Sequence, residues 1–115
     1  MNTFSGIVQK GEGRGKALGF PTINIPLIDG QAPGVYVAQV YIQGESPYMA
    51  AAFADTKRNI LEAHLLDFSD DLYGLEVRIE LCKKLREWIP FENDEHGRQQ
   101  IGADIAQARR YFQRM

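Results

Sequence analysis

A single cysteine, Cys82, stands among the 115 residues, so no internal disulfide can form and a reducing cytoplasm is the expected compartment. Without the His and Asn signatures that accompany a catalytic thiol, it reads as structural. No apolar run approaches the roughly 18 residues that a membrane helix needs, and the opening Met1-Asn2-Thr3-Phe4-Ser5 has neither the basic nor the apolar region of a secretory signal. Charge of one sign is also missing. Thirteen Lys and Arg against 15 Asp and Glu leave a net −2, which gives no general attraction to nucleic acid. No repeat, low-complexity tract or Pro/Ser-rich linker divides the chain, and 115 residues can bury one core and no more, so 1–115 reads as one domain.

What the chain does have is a cationic glycine loop running into an extended segment: Gly11-Glu12-Gly13-Arg14-Gly15-Lys16-Ala17-Leu18-Gly19-Phe20-Pro21-Thr22-Ile23-Asn24. Glycines let backbone N–H groups approach a ligand closely, and Arg14 and Lys16 bring charge for phosphate oxygens. Downstream, strand alternation puts Phe20, Thr22 and Asn24 on one face and Ile23, Ile25 and Leu27 on the other, so Thr22 and Asn24 are expected to look outward together. Two neutral oxygens on residues roughly 7 Å apart can converge on one hard cation, and magnesium takes only one or two protein ligands beside phosphates and water. A mobile hairpin loop is the other reading of the glycines. Neither common phosphate motif applies. Three residues, not four, separate Gly11 from Gly15, and Ala17 follows Lys16, which rejects a P-loop. A dinucleotide fingerprint needs a helix where Pro21 and the Ile-x-Ile alternation argue for a strand.

Strands dominate until near the C-terminus. They are expected at residues 5–9, 22–27, 35–42, 48–54, 60–68 and 75–81, with turns at Asp29-Gly30 and Pro33-Gly34. Residues 35–42 are apolar on both faces, which predicts burial on both sides. Leu75, Val77, Ile79 and Leu81 alternate with Glu76, Arg78 and Glu80 and are expected inward. In the tail, Ile101, Ile105, Ala108 and Phe112 recur at helical spacing, a stripe that should close one end of the sheet. Asn93 or Asp94 can cap this helix, and Arg109, Arg110 and Arg114 read as its solvated, dipole-compensating end. The sum is a mainly-β fold, a closed antiparallel barrel of six short strands with a C-terminal α-helix.

Gly13-Arg14-Gly15 followed by Leu18-Gly19-Phe20-Pro21-Thr22-Ile23-Asn24, and then Leu61-Glu62-Ala63-His64-Leu65-Leu66-Asp67-Phe68 with Asp71-Leu72-Tyr73-Gly74, resemble the two specific signatures of the riboflavin kinase (flavokinase) family. A weaker third block is Leu85-Arg86 with Phe91, then Gln100-Ile101 and Asp104. The resemblance runs in order along nearly the whole chain. It implies a six-stranded Greek-key barrel and an ATP:riboflavin 5′-phosphotransferase that yields FMN and ADP. It also implies that Thr22 and Asn24 hold Mg2+ and nucleotide phosphate under a flap formed by the Gly11 to Gly19 segment, so that Gly11, Gly13, Arg14, Gly15, Lys16 and Gly19, with Phe20 and Pro21 after them, bind the nucleotide. Asp67 and Tyr73 fall where the family lines its nucleotide pocket. Glu62 falls where a glutamate takes the proton of the riboflavin 5′-hydroxyl, and Arg86, Trp88 and Phe91 fall near the flavin end.

From pattern alone, Leu61, Ala63 and Leu65 alternate to the core and leave Glu62 and His64 on the opposite face, where a solvated glutamate is the ordinary reading; the resemblance makes Glu62 the base. His64 reads equally as a structural histidine, and Trp88 and Phe91 read equally as flavin contacts or as anchors of the helix. The family's Ala-Asn-Ile-Gly and Arg-Pro-Thr are replaced by Ala50-Ala51-Ala52-Phe53-Ala54-Asp55-Thr56-Lys57-Arg58-Asn59, and Trp88 stands where an acidic residue is usual. Small and polar, residues 48–61 are expected to be held by few apolar contacts. The chain has no room for the adenylyltransferase domain of many bacterial relatives, so a monofunctional, monomeric enzyme acting on small molecules is expected. The rivals are a catalytically weak or inactive flavin- or nucleotide-binding module on the same barrel and a kinase for another polyol.

Overall fold

The computed structural model describes residues 2–9, 22–27, 32–68 and 72–113. They form strands β1 (Asn2–Ile7), β2 (Ile23–Pro26), β3 (Gly34–Ile42), β4 (Tyr48–Asp55), β5 (Ile60–Leu65) and β6 (Glu76–Arg86), followed by helix α1 (Asp94–Gln113). The pairings are antiparallel in the order β1-β6-β3-β4-β5-β2. Within it β6-β3-β4-β5 returns the fourth strand beside the first, the Greek-key arrangement. The edge strands meet where the Gln9 N–H, just beyond β1, donates to the Asn24 carbonyl at 2.7 Å, and the sheet is thereby a nearly closed barrel, as expected. Gly6 permits that closure, because a Cβ there would lie 3.1 Å from the Ile25 Cβ and 3.3 Å from the Pro26 Cδ.

The barrel interior holds Ile25, Ala38, Val40, Ala50, Ala52, Ala54, Leu61, Ala63, Val77 and Ile79, all buried. β3 is buried on both sides as its composition predicts: Tyr36, Ala38 and Val40 point in, while Val37 points out beneath the helix. Helix α1 does not close an end of the sheet. It packs on the outer wall, with Ala108 against Val37 and Ala51, flanked by Ile105, Tyr111 and Phe112. The physical reason is the apolar strip that β3 and β4 expose there, where small Ala51 and Ala108 side chains allow close approach. Two irregularities in the β3–β6 register skip Cys82 and Leu85. Bulges of this kind bend a strand and re-aim side chains, and here both residues join the layer under the helix. Burial, with the Glu80 charge second, pushes the Cys82 thiol up from its ordinary range, as befits a packed, structural cysteine.

Several boundaries differ from expectation for identifiable reasons. β1 begins at Asn2 because its partner β6 offers pairing as far as Leu81. Leu75 is 48% exposed rather than inward, since the turn at Gly74 (φ 80°) delays β6 to Glu76. β5 stops at Leu65 because Asp67 takes a left-handed conformation (φ 58°). Nor is the 48–61 stretch loosely held. Ala50, Ala51, Ala52 and Ala54 are buried, and the Asp55 carboxylate accepts the Lys57 and Arg58 N–H groups and the Arg58 guanidinium, wrapping the β4–β5 turn around itself. Asn93 is the helix cap, its Oδ1 accepting the His96 N–H at 2.8 Å. The Asp29-Gly30 turn, Asp71 and Arg114 lie outside the described residues. Among the described residues no helix is long and apolar enough to cross a membrane.

Candidate active site

Opposed residues in an antiparallel ladder share a face of the sheet. Asn24 of β2 is opposite Glu62 of β5, and Glu62 is opposite Phe53 of β4. Three side chains of different chemistry, an amide, a carboxylate and a phenyl ring, thus stand in one row across three strands spaced about 4.8 Å apart. Phe53 and Glu62 of this row line a cavity of about 490 Å³. Further lining comes from the β6–α1 connection, through Trp88, Pro90 and Phe91, and from Ile101 and Asp104 of α1. The β4–β5 turn adds Asp55, Lys57 and Arg58 at one margin.

Within this cavity Glu62 keeps 23% side-chain exposure, while His64, two residues along the same face, is buried with its Nε2 3.7 Å from the Glu62 Oε1. That distance is an electrostatic contact, longer than a hydrogen bond. Arg86 presents a fork to Asp104: Nε to Oδ1 and Nη2 to Oδ2, both at 2.8 Å, with Nη1 donating to the Glu87 carbonyl. The pair is largely buried, at 21% and 7% side-chain exposure, and ties the end of β6 to the helix. Trp88 stacks on Phe53 with ring centroids 5.6 Å apart and planes 9° from parallel. Phe91 meets His96 edge-on at 6.0 Å.

Of the residues singled out in the sequence, Glu62, Arg86, Trp88 and Phe91 line this one cavity, and Asn24 adjoins Glu62 in the row. Asn24 is buried rather than outward and open, and Thr22 precedes β2 half-buried. Asp67 and Tyr73 are not among the cavity's lining residues. The Asp67 carboxylate is gripped by Arg109, whose hydrogen bonds and charge hold it below the usual carboxylate range; Arg109 is therefore an ion-pair partner and not merely a solvated helix charge. Gly11, Gly13, Arg14, Gly15, Lys16, Gly19, Phe20 and Pro21 lie outside the described residues. Among the described residues no three His, Cys, Asp or Glu cluster as a metal site. The Asn24 amide and the Thr22 hydroxyl are hard oxygen donors of the kind magnesium accepts alongside phosphate, so this neutral pair fits such an ion.

Sequence reading gave no role to Phe53 or the turn residues of the cavity, and named Asp104 only within the third family block. Two signals were present: Phe53 interrupts the run of alanines from Ala50 to Ala54, and Asp104 sits inside the apolar helical stripe between Ile101 and Ala108, where a charge calls for a partner. The turn carries a pH signature. Burial alone would raise the Asp55 carboxyl, but hydrogen bonds from Arg58 and Lys57 and the Arg58 charge hold it below its ordinary 3.8. Its stabilising contribution is thus complete above the unfolded value and disappears as pH falls through the lower folded value. Melting curves of wild type and Asp55→Ala should keep a constant gap near neutral pH and converge below about pH 4.

A family model described as Flavokinase, riboflavin kinase, matches residues 2–112. The chain is 38% identical to the bifunctional riboflavin kinase/FMN adenylyltransferase of Escherichia coli K12, over 94% of its own length and 37% of that protein's. It therefore spans a little over a third of that relative's length. A solved Streptococcus pneumoniae structure, named as a macrolide-efflux protein, superimposes with a TM-score of 0.80 at 31% identity, covering 93% of this chain and 38% of that one. Riboflavin kinase from Trypanosoma brucei shares the fold, with a TM-score of 0.68 at 24% identity over 96% of this chain and 76% of that one. With the match running from the first strand to the end of the helix, the chain belongs to the riboflavin kinase family.

Proposed function

We propose that the chain is a riboflavin kinase, moving the γ-phosphoryl group of ATP to the 5′-hydroxyl of riboflavin to give FMN and ADP. The Asn24–Glu62–Phe53 row supports this most directly, because it sets a carboxylate between a neutral oxygen donor and an aromatic surface. Glu62 takes the hydroxyl proton as the 5′-oxygen bonds to phosphorus and the bond to the β-phosphate oxygen breaks. Positioning supplies most of the rate in such transfers, and a row fixed by backbone pairing is well suited to it. Thr22 and Asn24 would hold magnesium, which neutralises phosphate charge. By family likeness, the glycine segment 11–19, outside the described residues, serves the phosphates, and Asp67 and Tyr73 serve the nucleotide side. Arg86, Trp88 and Phe91 serve the flavin side. On this reading the protein is a cytoplasmic monomer acting on small molecules.

Purified protein given riboflavin and ATP should form FMN only with a divalent cation, and no FAD. Thr22→Val and Asn24→Leu should each weaken metal-dependent nucleotide binding more than riboflavin binding. Saturable riboflavin binding with no product, at high enzyme and long times, would replace the kinase reading with a flavin-binding module. The reverse order of the two affinities would move the phosphate site elsewhere.

A further inference from the structure

Phe53 and Trp88 come from distant parts of the chain, the middle of β4 and the connection after β6, and meet as one nearly parallel pair on the cavity wall. A 9° tilt with 5.6 Å between centroids is an offset stack, in which the rings overlap only in part and brace each other in nearly parallel planes. Stacked planes about 3.5 Å apart leave no space for a third ring between them, so the pair is a platform and not a clamp. Trp88 remains 42% exposed, leaving aromatic surface uncovered. Phe53 is locked by the β-ladder directly beside Glu62, which fixes the platform relative to the carboxylate. Both residues also lie where this sequence departs from the family pattern, Phe53 in the stretch that has lost Asn-Ile-Gly and Trp88 in place of an acidic residue. An acidic position has become aromatic at Trp88, and the tryptophan touches Phe53 of the altered stretch. Arg86, in the same ladder row as Phe53 through Val35, already spends three hydrogen bonds on Asp104 and Glu87, which limits what it offers to a ligand's edge.

We propose that Phe53 and Trp88 form a stacking platform that takes the flavin ring by its face, so that this chain selects its substrate as a flat fused heterocycle rather than through hydrogen bonds to the ring's edge. The identity of the ring rests on the riboflavin kinase reading; the platform itself rests on the geometry. Lumiflavin, the ring system without the ribityl chain, is the direct probe, since stacking quenches flavin emission. Lumiflavin should bind saturably and compete with riboflavin, whereas D-ribitol should not compete. Phe53→Leu should weaken lumiflavin binding and raise the riboflavin KM about tenfold, with a smaller effect on kcat and none on Mg-ADP binding. Phe53→Tyr keeps the ring and should restore affinity, which separates lost stacking from a damaged fold. FMN formation whose riboflavin KM is unmoved by Phe53→Leu overturns the platform and leaves the kinase reading intact. Phe53-dependent lumiflavin binding in a protein that never makes FMN does the opposite.

Discussion

Glu62→Gln is expected to lower the rate of FMN formation by about 10²- to 10⁴-fold, the range associated with removing one positioned general base. Glutamine keeps the length and planarity of the side chain, so the strand row and the cavity stay as they are and riboflavin and nucleotide affinities change little. A drop in kcat and kcat/KM together is the signature of a group acting in the transition state. The neighbouring His64 provides the contrast. Being buried and 3.7 Å from Glu62, it is expected in His64→Ala to cost stability first, visible as a lower Tm before any specific loss of turnover. Full activity in Glu62→Gln, measured at saturating substrates, removes Glu62 from the mechanism.

Asp104→Leu should be the most destabilising of the cavity substitutions. It strands the Arg86 guanidinium without the fork it now occupies, in a position only 21% exposed. Breaking one side of a buried ion pair costs 3–5 kcal/mol in well-shielded cases; with Arg86 partly wet, about 3 kcal/mol is expected, or roughly 10–20 °C in Tm for a domain this size. Adding Arg86→Met in the same protein should recover a good part of that loss, because a fully apolar pair avoids the desolvated charge. A double variant as unstable as Asp104→Leu alone would show that Asp104 acts by some contact other than Arg86. Arg86→Lys is not expected to substitute, since an ammonium cannot reproduce two parallel N–H donors.

The barrel was legible wherever one residue pattern had one explanation. Alternation in residues 75–81 announced a strand, the β-rich run 35–42, apolar on both faces, announced a doubly covered one, and the 101–112 stripe announced the helix. Where the period broke, so did the reading. Lys83-Lys84 hides the bulges at Cys82 and Leu85, which bring apolar residues to the helix side out of phase with the strand. The helix was placed at the barrel's end because a stripe says which face is buried but not what buries it. In the site, Glu62 was found by resemblance to a family motif and could not have been found by pattern, as an outward glutamate on a strand is ordinary. Phe53 and Asp104 received no role because their meaning is pairwise: each is explained by its partner, Trp88 or Arg86, 35 and 18 positions away.

The row Asn24–Glu62–Phe53 ties correctness of the candidate site to correctness of the fold. Its spacing is set by the backbone ladder, so a slip of β5 by one residue would replace Glu62 with Leu61 or Ala63 on the outer face. The same slip would drive Glu62 and His64 into the barrel interior and expose Leu61, which is fully buried. A molecule misregistered by one residue cannot therefore be stable and merely inactive. Errors in strand pairing present themselves to cellular proteases as unfolded chains, and the population that survives is proofread for its active site by the stability of its core.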